Sequence, residues 1–83
     1  MSKEILLSDL QPGQAAIIVK FVSEELHLKL MEMGCLPGEK IEVVQKALFN
    51  DPMSVSVAGY LLSLRTDEAS QIIVKLSVPA SAA

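Results

Sequence analysis

The residues of this chain best suited to chemistry are its single histidine, His27, and its single cysteine, Cys35. A cysteine nucleophile needs a base within hydrogen-bond reach. Cys35 follows His27 by eight residues and lies beyond the expected end of the helix that carries His27. The sequence also contains no GxxxxGKS/T loop that could hold a nucleotide phosphate. We therefore predict that the chain is not an enzyme, with His27 a surface residue and Cys35 a small apolar core residue.

Potential metal ligands are concentrated in the same predicted helix, at Glu24, Glu25, His27 and Glu32. Divalent transition metals accept imidazole and carboxylate ligands. Glu24 and His27 are three residues apart, so both can reach one ion from one face of a helix. However, two ligands bind an ion weakly, and acids at the start of a helix also stabilise its dipole. We expect no tightly bound cofactor, leave weak transition-metal binding open and assign no metal ligands.

Composition narrows the classes of function further. The net charge is −3, and the seven basic residues are scattered, whereas binding to nucleic acid needs clustered lysine and arginine. No apolar run approaches the roughly 20 residues of a membrane-spanning helix, and Glu4 and Asp9 interrupt any signal-peptide core. One cysteine permits no internal disulfide. We predict a soluble cytoplasmic protein that binds no nucleic acid and does not insert directly into a membrane.

One short helix is predicted at about residues 24–33. Ser23 can cap its first turn. Three apolar residues recur at the spacing of an inward-facing stripe: Leu26, Leu30 and Met33. This arrangement leaves Leu28 and Met31 partly exposed, and an exposed apolar face that contains methionine suits docking to a partner. The alternative is a helix buried on two sides.

A sharp change of direction follows the helix. Gly34 is expected to end the helix in the left-handed conformation. Pro37 and Gly38 fit the central positions of a type II turn, since proline presets φ and glycine tolerates a positive φ. The chain then continues as a strand from Lys40.

Most of the remaining sequence predicts strands, because β-branched residues and apolar alternation dominate it. The five predicted strands are 15–22, 40–46, 53–57, 60–65 and 72–76. Ala58 and Gly59 make the third and fourth a hairpin. We predict a mostly β fold, a small partly open barrel of about five strands with one short helix between the first two long strands. It forms a single domain over residues 1–78, with a frayed tail at 79–83.

The loop before the third strand contains Phe49, Asp51 and Pro52. Asp51 either accepts a hydrogen bond within its own turn or belongs to a loop that touches a partner. Phe49 is either a contact residue at the loop tip or folds back over the mouth of the barrel. Both pairs of alternatives stay open.

Three blocks carry a resemblance to a known family, in order along the chain: 30–38, 50–52 and 64–69. The first has the form Leu-x-x-Met-Gly-x-x-Pro-Gly, the second is similar to a Gly-Asp-Pro loop, and the third matches Leu-Arg-x-x-Glu-Ala. Together they resemble the ferrous iron transport protein A (FeoA) family over about residues 5–78. The structural motif residues in these blocks are Met33, Gly34, Pro37, Gly38, Leu64 and Arg65.

The resemblance implies an SH3-like barrel and a non-enzymatic accessory protein of bacterial ferrous iron uptake. The implied partner is a FeoB-like membrane transporter, which the protein assists or regulates by docking on its cytoplasmic side. Our candidate partner-binding residues are Leu28, Met31, Phe49, Asp51 and Pro52.

The sequence departs from the family pattern at Asn50, which stands where the family has glycine. Asparagine tolerates left-handed geometry, so we expect the turn to be retained. The helix has Leu28 in a region where many relatives carry basic residues. Two other classes of function stay open: a metal-responsive regulatory domain akin to the C-terminal domain of iron-dependent repressors, and a self-associating β module that forms homo-oligomers through its strand edges.

Overall fold

The computed structural model describes residues 3–76. The strands in this range form one six-stranded antiparallel sheet. Its strands are β1 (Glu4–Leu6), β2 (Ala15–Phe21), β3 (Lys40–Lys46), β4 (Met53–Val57), β5 (Tyr60–Leu64) and β6 (Ile72–Leu76). Their order in the sheet is β1-β6-β2-β3-β4-β5, so the sheet is not closed and β1 and β5 form its edges. This confirms the predicted mostly β, partly open architecture. The predicted tail at 79–83 lies outside the described residues.

Two helices interrupt the strands. The first, α1 (Glu24–Met31), connects β2 to β3 as predicted, and α2 (Thr66–Ala69) is a single turn between β5 and β6. The chain also makes 3-10 turns at Leu7–Asp9 and Leu48–Asn50.

β1, the one strand that the sequence did not predict, lies in the short apolar segment near the N-terminus. In β1, Glu4 lies opposite Lys75 and Leu6 lies opposite Ile73 of β6. Three residues are too few to show an alternating pattern, and their strand conformation depends on pairing with a segment almost 70 residues away in sequence. Non-local pairing of this kind is invisible to local pattern analysis.

The end of α1 corrects one prediction, because Met33 does not pack inward and is 42% exposed. The helix ends at Met31, and the N–H groups of Cys35 and Gly34 donate to the carbonyls of Leu30 and Met31 at 3.1 and 3.0 Å. These are the two hydrogen bonds of a Schellman motif, and Gly34 has the expected left-handed φ of 81°. The chain turns before position 33 can continue the helical stripe, and the fully buried Cys35 enters the core instead.

The turn after α1 has the predicted geometry. The N–H of Glu39 donates to the carbonyl of Leu36 at 3.0 Å, and Gly38 has a φ of 96°. Both features match a type II turn with Pro37 and Gly38 at its centre. The N–H of Gly38 also donates to the carbonyl of Ile18 at 2.8 Å, which fastens the turn to β2.

The core between these elements is aliphatic. Its fully buried larger side chains are Leu7, Leu10, Ile18, Leu30, Ile41, Val43, Met53, Val55, Val57, Ile72 and Val74. Among residues 3–76 other than Asn50, no polar or charged side chain is buried. Hydrophobic burial therefore supplies most of the favourable free energy of folding.

Candidate functional site

The beginning of α1 is fixed by its cap. The hydroxyl of Ser23 accepts the N–H of Leu26 at 3.2 Å, and Glu24 and Glu25 occupy the first turn, where acids complement the helix dipole. Leu26 and Leu30 are buried, so this side of the helix faces the sheet. The orientation of every other residue on α1 follows from that packing.

Leu28 and Met31 form an exposed apolar surface, here called the helix face. At 3.6 residues per turn, Leu28 lies about 200° around the helix from Leu26, and it is 51% exposed. Met31 is 42% exposed and follows Leu28 by three residues, so the two side chains are neighbours. The structure thus places both candidates together on the side of α1 opposite the core.

The loop before β4 presents Phe49 to solvent. Phe49 is 88% exposed, so its side chain does not fold back over the mouth of the barrel, and it has a left-handed φ of 63°. The positive φ described in this loop is therefore at Phe49, one residue before the asparagine expected to adopt it. Pro52 is half-buried behind a cis peptide bond, and its carbonyl accepts the N–H of Ala47 at 2.9 Å.

Asp51 makes a bond that neither sequence alternative anticipated. Its Oδ1 accepts the backbone N–H of Thr66 at 3.0 Å, so it bonds to the first residue of α2 and not to its own turn. Arg65 occupies the cap position of α2. The carboxylate of Glu68 accepts the N–H of Arg65 at 3.0 Å.

α2 connects the loop to α1. At one end Thr66 bonds to Asp51, and farther along Glu68 Oε2 lies 3.0 Å from the ammonium of Lys29 on α1. The backbone N–H of Arg65, and then Lys29, lower the pKa of the Glu68 carboxyl below its ordinary value. The helix face and the loop are therefore held to a common short element, although sequence patterns gave no sign of that link.

Neither His27 nor Cys35 is placed for nucleophilic chemistry. The ring of His27 stacks on Phe21, with centroids 5.0 Å apart and planes 16° apart. Cys35 is fully buried, and burial, followed by the charge of Glu39, raises its pKa to about 11. A buried thiol with a raised pKa carries little thiolate and is a poor nucleophile at neutral pH.

Across residues 3–76, no three histidine, cysteine, aspartate or glutamate side chains are grouped so that they could hold a metal ion. A shallow groove between α1 and α2 is lined by Ser23, Glu25, Leu26, Lys29, Glu68 and Gln71. Two of these charges, on Lys29 and Glu68, are already paired with each other. Neither helix in this part of the chain is long and apolar enough to cross a membrane.

A family model for the FeoA domain matches residues 5–76. The chain belongs to the FeoA family. One relative, an Fe(2+) transport protein A/Fe(2+) transporter FeoB fusion protein from Porphyromonas gingivalis, is 38% identical over 71 residues. That match covers 84% of this chain but only 8% of the relative, so the chain spans a small part of the fusion protein's length.

Solved structures agree with the family and with the fold. FeoA from Chlorobium tepidum is 32% identical with a TM-score of 0.84, over 89% of this chain and 71% of that one. FeoA from Stenotrophomonas maltophilia, a prokaryotic SH3 domain protein complexed with zinc, is 27% identical with a TM-score of 0.71, over 84% and 88% of the two chains. The predicted SH3-like fold is thereby confirmed.

The same fold occurs in a manganese-dependent transcriptional repressor. Its TM-score is 0.81, and the match covers 93% of this chain and 44% of the repressor chain. The identity is only 14%, so this likeness shows a shared fold and nothing about function.

Proposed function

We propose that this chain is a non-enzymatic, cytoplasmic accessory protein of bacterial ferrous iron uptake that docks on the cytoplasmic side of a FeoB-like transporter. The observation that carries the proposal is the Porphyromonas gingivalis relative, in which a domain similar to this chain is joined to the transporter in one polypeptide. Fusion keeps two domains at high effective concentration, which favours even a weak contact between them. A separate chain has to supply the same contact through its own surface.

The helix face is the proposed centre of that surface. Leu28 and Met31 project away from the core on the side of α1 that the sheet does not cover. Methionine is flexible and polarizable, so it adapts to an apolar pocket on a partner. Burying both side chains would add hydrophobic free energy to docking without disturbing the core.

Charge around the helix face indicates the character of the partner surface. Glu24 and Glu32 lie four residues before and after Leu28, so both carboxylates border it, and both residues are exposed. An apolar contact with an acidic border fits an apolar pocket with a basic rim. Such a contact forms more slowly as salt screens the rim charges.

The loop supplies the second proposed contact. Phe49 is the most exposed aromatic side chain described, and Asp51 and Pro52 shape the loop that carries it. Exposed aromatic residues at loop tips make effective anchors when a partner covers them. Since α2 holds both the loop and α1, we propose that one partner engages both.

The experiment is a calorimetric titration of this chain into the cytoplasmic domain of the FeoB-like transporter encoded in the same genome. The Leu28→Glu/Met31→Glu variant should fold, losing at most roughly 0.5 kcal/mol per substitution, and should bind at least about tenfold more weakly. The Phe49→Ser variant should also bind more weakly. Val44→Glu, which adds one glutamate at a similarly exposed apolar residue of β3, is the control and should bind normally.

Failure of the wild-type protein to bind would contradict docking on the transporter. Normal binding by a folded Leu28→Glu/Met31→Glu variant would place the contact elsewhere on the chain. If that variant unfolds, the two residues belong to the core, and the proposal that the helix face is a docking surface is wrong. The alternative of a metal-responsive regulatory domain is supported by the fold shared with the manganese-dependent repressor, which shows nothing about function.

A further inference from the structure

The open sheet leaves β5 with one unpaired side. Tyr60–Leu64 pairs with β4 along its whole length and without a register shift. On its other side no strand follows in the sheet order of the described residues. An edge strand presents a row of backbone donors and acceptors that another strand can use.

The geometry of the hairpin shows which groups point to that free side. Ala58 and Gly59 have φ values of 51° and 84°, as in a two-residue type I′ turn. Such a turn makes the flanking pair, Val57 and Tyr60, a hydrogen-bonded pair. Hydrogen bonding alternates along the strand, so Leu61 and Ser63 direct their N–H and C=O groups away from β4.

Both of these residues are accessible. Leu61 is 69% exposed, and Ser63 is exposed as well. Four backbone groups, two donors and two acceptors, are therefore available on one five-residue edge.

From this geometry we propose that β5 pairs antiparallel with β5 of a second copy of this chain, across a two-fold axis at Leu62. Leu61 of each copy exchanges two hydrogen bonds with Ser63 of the other, which satisfies all four groups on each edge. Leu62 faces Leu62 of the second copy at the axis, and the two sheets join into one of twelve strands.

The sequence of the edge favours a second copy as the occupant. Symmetric antiparallel pairing brings the same five residues of both copies together, so a charge on the edge would lie near the same charge of the second copy. Tyr60–Leu64 contains no charged residue and no proline, and it has no bulge. The other edge, β1, has only three residues and carries the exposed Glu4, features that discourage pairing. An interface of two short strands is small, so we expect weak association, with a Kd above about 10 µM.

The test uses sedimentation equilibrium to measure dimerisation of variants that place like or opposite charges across the proposed axis. Leu61→Lys/Ser63→Lys places lysines opposite each other in the symmetric dimer, and Leu61→Glu/Ser63→Glu does the same with glutamates. Each variant alone should remain monomeric at concentrations where the wild-type protein dimerises. Mixed in equal amounts, the two should form a heterodimer, because every lysine then faces a glutamate. Leu28→Lys, which changes the helix face and leaves the edge intact, is the control and should dimerise like the wild type.

Hydrogen exchange on the unmodified protein provides a second measurement that does not depend on variant folding. The amide protons of Leu61 and Ser63 should become protected as protein concentration rises, at least about tenfold at concentrations that fill the dimer. Those of Tyr60 and Leu62, already bonded to β4, should change little. The proposal is overturned by a wild-type protein that stays monomeric at about 1 mM, by a lysine variant that still dimerises, by a mixture that forms no heterodimer, or by unchanged exchange at Leu61 and Ser63.

Discussion

Oδ1 of Asp51 accepts the backbone N–H of Thr66 at 3.0 Å, which joins the loop before β4 to the first residue of α2. An acceptor at the start of a helix satisfies an N–H that has no partner within the helix. Asp51→Ala should therefore lower the free energy of unfolding by about 1 kcal/mol. Asp51→Asn, which keeps a side-chain oxygen, should lose less. Urea denaturation of the three proteins checks this, and equal midpoints would show that the bond contributes nothing.

Gly34 should tolerate substitution poorly because of its backbone and not because of crowding. A Cβ at this position would lie 3.7 Å from the Cβ of Ala58, an ordinary van der Waals distance, but the φ of 81° is strained for any side chain. Gly34→Val should cost more than about 1–2 kcal/mol, since a β-branched residue resists the left-handed conformation. Gly34→Asn, which tolerates it better, should cost less. An unchanged denaturant midpoint for the valine variant would refute the requirement for this geometry.

Ala58 offers the opposite case, a residue whose replacement should stabilise the protein. Its φ of 51° is unfavourable for alanine, and the two central positions of a type I′ turn prefer Asn-Gly. Ala58→Asn should raise the free energy of unfolding by about 1 kcal/mol. Thermal melts followed by circular dichroism measure the change, with Ser56→Asn in the neighbouring strand as a control that should bring no gain. A lower melting temperature for Ala58→Asn would contradict the turn assignment.

The ion pair of Glu68 with Lys29 should make stability depend on pH in the acid range. Hydrogen bonding to Arg65 N–H and the contact with Lys29 lower the pKa of Glu68 below its ordinary 4.5. A carboxyl whose pKa is lower in the folded state stabilises the protein above its unfolded pKa, and this contribution disappears as pH falls through the folded pKa. Glu68→Gln should therefore be less stable than the wild type at pH 7, and the difference should shrink below about pH 4.5.

Urea midpoints of both proteins between about pH 3 and pH 7 test this. Glu32→Gln, a change of the same type at an exposed residue beyond α1, controls for net charge. A Glu68→Gln difference that stays constant over the whole range would rule out a role for the charge.

Much of the fold was predictable because its signals are local. Ser23, Gly34 and the Pro37-Gly38 pair set the start and end of α1 and the turn that follows, and each depends on side-chain or backbone preferences of one or a few residues. Met33 was predicted wrongly because the helical period was extended into the last residue before Gly34. The glycine itself was the signal that the stripe had ended, since the chain leaves the helix before it reaches a left-handed residue.

The two interactions that join the loop and α1 to α2 were not predictable from the sequence. Asp51 and Thr66 are 15 residues apart, and Lys29 and Glu68 are 39 apart. No local pattern reports which distant N–H or carboxylate a side chain will meet. Exposure of Leu28 and Met31 could be predicted from helical spacing, whereas the exposure of Phe49 needed the structure.

Metal binding should be weak and external, since Glu24 and His27 provide only two ligands from one helix. A relative complexed with zinc makes zinc a suitable probe beside ferrous iron. Titration calorimetry with either ion should show no tight one-to-one site. A stoichiometric submicromolar site that is lost in His27→Ala would contradict this expectation and would identify the acids of α1 as ligands.

The exposed position of Tyr60 determines what ultraviolet emission can report about this protein. The chain has no tryptophan and one tyrosine, which begins β5 and is 59% exposed. Its emission therefore reports directly on one end of the hairpin and only indirectly on the aliphatic core. A change in tyrosine anisotropy with protein concentration would report pairing at the β5 edge. Unfolding is better measured by the circular dichroism of the backbone.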